Sequence, residues 1–203
     1  MSNPGPGPAD AAWVVIETPL VPGDLAAFCG DLERLYRINP YLEFGLWHEA
    51  APGAFTVAFR NLSNQREFEL QFALARNSAS VFTVRYDRGI KRSTRFEIES
   101  AATGSRLRIT DEYHGTATDT GEVDKSLHAW GVALREYLLR ERRYGWCAPW
   151  RWYMRRVWVP MKPSARRITF IILMVTLAEI ALIALVLAIY WIEYRLYVPT
   201  TGL

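Results

Sequence analysis

The sequence predicts an α+β chain: a curved antiparallel sheet closed by one long helix, followed by a single membrane-spanning helix. Three observations predict it. Apolar and polar residues alternate through most of residues 42–113, the period of strands with one buried face. A stripe at helical spacing then joins Val123, Leu127, Trp130, Leu134 and Leu138. Last, Ile168–Ile192 contains one ionisable residue, Glu179. Twenty-five helical residues rise about 37 Å, enough to cross a hydrocarbon core of roughly 30 Å.

The elements follow in order. Residues 1–11, rich in Pro and Gly, are expected to form a disordered tail; they lack the positive and apolar regions of a secretory signal. Trp13–Thr18 reads as a short strand of β-branched and aromatic residues. Pro22 opens a helical stretch in which Leu25, Phe28, Leu32 and Leu35 recur at helical spacing until Asn39-Pro40. Six strands are then expected. The alternating sets are Leu42, Phe44 and Leu46; Phe55, Val57 and Phe59; then Phe68, Leu70, Phe72 and Leu74. Phe82, Val84 and Tyr86 come next, followed by Thr94, Phe96 and Ile98, and by Leu107, Ile109, Asp111 and Tyr113. Ala51-Pro-Gly, Asn61–Asn64, Asn77-Ser, Asp87-Arg-Gly and Thr103-Gly-Ser supply the turns. A long helix starts at Thr120-Gly-Glu and runs to about Tyr144-Gly145.

Between that helix and the span, residues 146–167 are basic and aromatic without an acid. Trp146, Trp150, Trp152 and Trp158 interleave with Arg151, Arg155 and Arg156. Aromatic rings favour the headgroup level and Arg attracts anionic lipid. The expectation is an interfacial belt rather than a nucleic-acid surface, because the segment adjoins a span. Six cations, Arg151 to Arg167, precede the span and Arg195 alone follows it. The positive-inside rule therefore puts the globular part in the cytoplasm, on an inner or plasma membrane. Pro160 and Pro163 interrupt any helix between belt and span. The boundaries read as a tail over 1–11, a domain over 12–145, a belt over 146–167, a span over 168–192 and a short extracytoplasmic tail over 193–203.

Glu179 falls near mid-membrane, where a charge costs roughly 2.5–3.5 kcal/mol on insertion scales. Ala181, Ala184 and Ala188 offer small residues nearby. Either the acid is neutral and tolerated, or it contacts a membrane-protein partner or a second copy of the chain.

Strand, helical region, six strands and a long closing helix resemble the START-like, or SRPBCC, superfamily with its helix-grip fold. The resemblance covers about residues 12–145 and rests on element order. It implies two short helices between Pro22 and Tyr41, and a cavity between sheet and long helix that takes apolar ligands. The expected polar groups of that cavity are Asp111, Thr94 and Arg92. Its expected apolar lining is Trp47, Phe59, Phe68, Tyr86 and Phe96 from the early strands, Ile109 from the last, and Trp130 and Leu134 from the helix. An aromatic stripe also serves as plain core. Asp111 falls on the apolar parity of its strand. It is either an inward general acid or base or a structural acceptor for Arg92 or Tyr113.

Other chemistry finds no motif. His48, His114 and His128 stand at no metal-ligand spacing, and no CxxC, P-loop, GxGxxG or GxSxG occurs. No catalytic residue, metal or cofactor is named. Two distant thiols, Cys29 and Cys147, fit a reducing compartment better than a disulfide framework. Three functions compete. The first is a membrane-anchored module binding a hydrophobic small molecule or lipid. The second is a non-catalytic accessory subunit of a membrane complex. The third is a cyclase- or hydrolase-like enzyme, as some relatives of the fold are.

Overall fold

A computed structural model describes residues 11–89, 91–113 and 120–197. Apart from Ala11, the tail expected over residues 1–11 lies outside them, as do His114 and residues 198–203. Strand β1 (Ala11–Thr18) leads to two short helices, α1 (Pro22–Cys29) and α2 (Leu32–Arg37). Pro22 suits the first turn of α1, where its missing N–H costs nothing. Asp31 caps α2 by accepting a hydrogen bond from Arg34 N at 3.1 Å.

Six strands follow: β2 (Leu42–Ala51), β3 (Ala54–Asn61), β4 (Arg66–Arg76), β5 (Val81–Tyr86), β6 (Lys91–Ala101) and β7 (Gly104–Tyr113). Together with β1 they form one curved antiparallel sheet in the order β1-β7-β6-β5-β4-β3-β2. The first strand closes onto the last, so consecutive hairpins wrap one apolar face inward. Val57, Leu70, Val84, Phe96, Leu107 and Ile109 carry that face.

The face is covered by α3 (Thr120–Tyr144). Leu127, Trp130, Leu134, Tyr137 and Leu138 are all buried, one continuous stripe on a 3.6-residue period. The Trp130 indole N–H donates to Leu35 O at 3.1 Å, so its one polar atom is satisfied. Gly131 lets α3 approach β1: a Cβ there would stand 2.7 Å from a methyl of Val14.

Two β-bulges change what alternation alone implies. The β2–β3 register shifts between Phe44 and Leu46, across Gly45. Leu46 is therefore exposed, and Trp47 turns inward against Phe44 and Phe72. The β6–β7 register shifts between Lys91 and Ser93. Arg92 is the extra residue and points out, while Lys91 takes the inward place opposite Tyr113.

The domain boundary expected at Gly145 also needs correction. The compact unit extends to Met161. Helix α4 (Ala148–Tyr153) and a π-helical turn over Met154–Trp158 fold back on it. Met154 and Val159 join the buried core, and the Trp158 ring packs tilted against Tyr137 at 5.7 Å. The apolar residues of this segment answer an uncovered patch of the domain, and packing outweighs solvent exposure there.

The second unit holds α5 (Pro163–Tyr197). It is long and apolar enough to cross a membrane, and its apolar side chains are exposed. It is longer than the 168–192 span expected from the apolar run, and Pro163 sits at its first turn. Cys29 and Cys147 are free thiols.

Candidate functional site

A cavity of about 450 Å³ opens between the sheet and the beginning of α3. Its apolar wall comes from β3 and β4. Phe59 and Phe68 are opposite each other across the ladder, with rings stacked at 5.4 Å. Leu42, Leu70 and Phe72 extend that wall. Phe72 meets the Tyr86 ring edge-on at 4.9 Å. Three tyrosines line the cavity, Tyr36, Tyr86 and Tyr113, each an aromatic face with a polar tip.

The rim is polar and made by two hairpin turns. The β3–β4 turn supplies Asn61, Ser63 and Asn64, followed by Arg66. Its Gln65 adopts a left-handed backbone, φ 60°, held by a hydrogen bond from Gln65 Nε2 to Leu62 O at 2.8 Å. The β5–β6 turn supplies Arg88, Gly89 and Lys91. Gly89 at φ 106° takes a conformation that side chains rarely adopt. Ser126 of α3 completes the opposite side.

Behind the wall a chain of hydroxyls runs to a buried carboxylate. Thr94 Oγ1 donates to Asp111 Oδ1 at 2.5 Å. Having spent its proton, Thr94 accepts from the Tyr86 hydroxyl at 2.6 Å. Tyr86 in turn accepts from the Tyr36 hydroxyl at 2.7 Å. The other Asp111 oxygen accepts from Lys91 Nζ at 2.5 Å and from the Tyr113 hydroxyl at 3.4 Å. Asp111 is fully buried, so its charge depends on Lys91, whose side chain is 32% exposed. Burial, and for Tyr86 next the Asp111 charge, holds both tyrosine hydroxyls well above the ordinary range. They stay neutral and act as donors.

The residues expected from the sequence fall into three groups. Phe59, Phe68 and Tyr86 line the cavity. Thr94, Phe96, Ile109, Asp111, Trp130 and Leu134 are buried away from it, in the core and the hydroxyl chain, and Trp47 packs as half-buried core. Arg92 is exposed and takes no part; the expected Arg92–Asp111 pair is a Lys91–Asp111 pair, because of the bulge. Trp130 and Leu134 therefore do not border the cavity. They fill the space that the resemblance left open.

Sequence reasoning missed Tyr36, the three asparagines of the lining and the cations Arg66, Arg88 and Lys91. The turn at Asn61–Asn64 could have pointed to a polar mouth. In the basic aromatic segment, Trp146 and Trp152 are exposed, as are Arg151, Arg155 and Arg156. Trp150 and Trp158 are half-buried, against Tyr144 and Tyr137 respectively. Glu179 lies on the exposed surface of α5. Among the described residues no group of three His, Cys, Asp or Glu side chains is placed to hold a metal ion.

No family model matches the sequence, and no curated protein matches it. Solved structures do match in fold. A START superfamily protein from Mycobacterium smegmatis superposes with a TM-score of 0.52 at 12% identity, over 64% of this chain and 97% of its own. The Zhui aromatase/cyclase from Streptomyces sp. R1128 gives 0.51 at 14% identity, over 68% of this chain and 96% of its own. The aligned share leaves room for α5 outside the match. With seven antiparallel strands, two short helices and a long closing helix, the chain has the START-like helix-grip fold, and it carries one long apolar helix in addition.

Proposed function

We propose that the chain is a membrane-anchored START-like domain that binds a hydrophobic small molecule or lipid at the cytoplasmic face of the membrane. The cavity carries this reading. At about 450 Å³ it falls in the size range of small-molecule sites, with an apolar wall and a few convergent polar groups. The length and apolar surface of α5 support anchoring. The excess of cations before it supports the cytoplasmic orientation. Exposed Trp146 and Trp152 beside Arg151, Arg155 and Arg156 support a headgroup contact.

Two specific observations favour other readings. A lone acid, Glu179, in an apolar helix favours an accessory subunit that meets a partner or a second copy within the membrane. The hydroxyl chain beside the cavity favours an enzyme of the cyclase or hydrolase type. Binding is preferred over catalysis because both Asp111 oxygens are committed to hydrogen bonds and the tyrosines hold their protons.

The test is mass spectrometry of organic extracts from full-length protein isolated from its native membranes. The expected result is one apolar species at near-stoichiometric amount, absent from a control membrane protein. Extracts holding only bulk lipid in bulk proportions would reject binding. Orientation is checked separately with a reporter fused after Leu203, which should be active only outside the cytoplasm. Cytoplasmic activity would reverse the topology.

A further inference from the structure

We infer that the cavity's occupant is an amphiphile with one carboxylate- or phosphate-type anion, its anion at the two turns of the rim and its apolar body on Phe59 and Phe68. The inference rests on the binding reading above and specifies its ligand. It comes from counting donors and acceptors around the lining.

Three asparagines line the cavity, and each side-chain oxygen already accepts within the protein. Asn39 Oδ1 accepts from Tyr41 N at 2.9 Å. Asn61 Oδ1 accepts from Ser63 N at 2.9 Å and from Ser63 Oγ at 2.7 Å. Asn64 Oδ1 accepts from Arg66 N at 3.0 Å. Both lone pairs of the Asn61 oxygen are filled and one of two on Asn39 and on Asn64, and each amide also carries an NH₂ donor group. Arg66, Arg88 and Lys91 are donors only. No Asp or Glu is among the described residues of the lining. Lys91 gives one proton to Asp111 and keeps two. Arg88 is paired with Asp87 at 3.1 Å. Among the described residues, the cations Arg66, Arg88 and Lys91 outnumber by one the acids paired with them, Asp87 and Asp111.

The inner wall is opposite in character. The protons of Tyr36 and Tyr86 run inward along the chain to Asp111 and that of Tyr113 goes to Asp111 directly, so the three tyrosines of the lining donate away from the cavity. An anion therefore meets its charged donors at the rim, while stacked Phe59 and Phe68 accept the apolar body. Hydrogen bonds from charged donors to an anion are shorter and stronger than neutral ones, which orients such a ligand head-out. A cationic amphiphile would meet like charge at the rim.

The experiment uses the full chain in phosphatidylcholine nanodiscs. Four probes are compared: a lauric acid carrying a terminal diazirine, its methyl ester, the matching dodecyl phosphate, and inorganic phosphate as competitor. Photolabelled peptides are mapped by mass spectrometry. The acid and the dodecyl phosphate are expected to label the Phe59 and Phe68 peptides at concentrations about tenfold lower than the ester, a difference of about 1.4 kcal/mol. The double variant Arg66→Gln/Arg88→Gln should abolish that preference and leave ester labelling unchanged. Both arginines are exposed, so the core is untouched. Equal labelling by acid and ester, or an unchanged preference in the double variant, would overturn this inference and leave the binding reading standing. No labelling by any probe would overturn both. Displacement of the acid by millimolar inorganic phosphate would make the rim a free-phosphate site and overturn the inference.

Discussion

The two ends of the space between sheet and α3 are built from the same strands and the same helix, yet one is filled and the other open. At the filled end Trp130, Leu134 and Tyr137 occupy the concavity with almost no exposed surface. At the open end the helix presents Ser126, one turn before Trp130 and on the same face. The backbone of a curved sheet under a helix does not decide whether a pocket exists. Side-chain volume at successive turns of the helix decides it. The polar groups divide along the same line. The filled end satisfies its one indole N–H on Leu35 O, whereas the open end gathers the cations Arg66, Arg88 and Lys91 at its rim.

The comparison can be broken most severely at the filled end. Ending the chain at Gly145 instead of Met161 removes Met154 and Val159 from the core and the Trp158 ring from Tyr137. Burial of side chains of this size stabilises by roughly 1.5–3 kcal/mol each. The shorter fragment should lose that much and unfold at markedly lower denaturant than the fragment ending at Met161. Equal midpoints would return the segment to a purely interfacial role. Trp130→Ala should cost roughly 3–5 kcal/mol, read by urea unfolding of the fragment ending at Met161, since this side chain is core. A cost under about 1 kcal/mol would mean that Trp130 borders open space after all.

At the boundary between the two ends stands the Lys91–Asp111 pair. Lys91→Met leaves a carboxylate buried without its counter-charge. For a fully buried pair that costs roughly 3–5 kcal/mol, and less here because Lys91 is partly solvated. Adding Asp111→Asn should restore much of the loss in thermal unfolding. A double variant no more stable than the single would show that Asp111 draws its stability from Thr94 and Tyr113 alone. The smallest effect is expected in α5. Glu179→Leu makes the helix more apolar, so insertion should be unchanged while crosslinking between chains in native membranes falls. Equal crosslinking in both proteins would leave Glu179 a tolerated neutral side chain.

Much of the filled end is legible in the sequence. Period-two alternation names the strands, and the stripe through Trp130 and Leu134 names the covering helix. What escapes is local. A bulge inverts parity for part of a strand without changing composition, which is why Arg92 and Lys91 exchange places. Gly45 inside a strand does carry a warning of one, whereas Arg92 carries none. The basic aromatic segment is ambiguous by composition, since Trp and Met suit a headgroup layer and a core equally well. The location of the cavity depends on volumes summed over several elements. Only Ser126, a small residue four before a tryptophan, hints at it. The donor excess of the rim is invisible until the turn shows where each asparagine oxygen goes.

The central claim is that the open end is the ligand site and that a single small side chain keeps it open. Ser126→Trp would continue the packing of Trp130 by one turn and close the cavity. The direct measurement is the stoichiometry of lauric acid bound to full-length wild type and to Ser126→Trp in phosphatidylcholine nanodiscs, after subtraction of empty discs. The account predicts near one molecule per wild-type chain and almost none for the variant, with both proteins folded. Equal uptake by the two, with the variant folded, would contradict it.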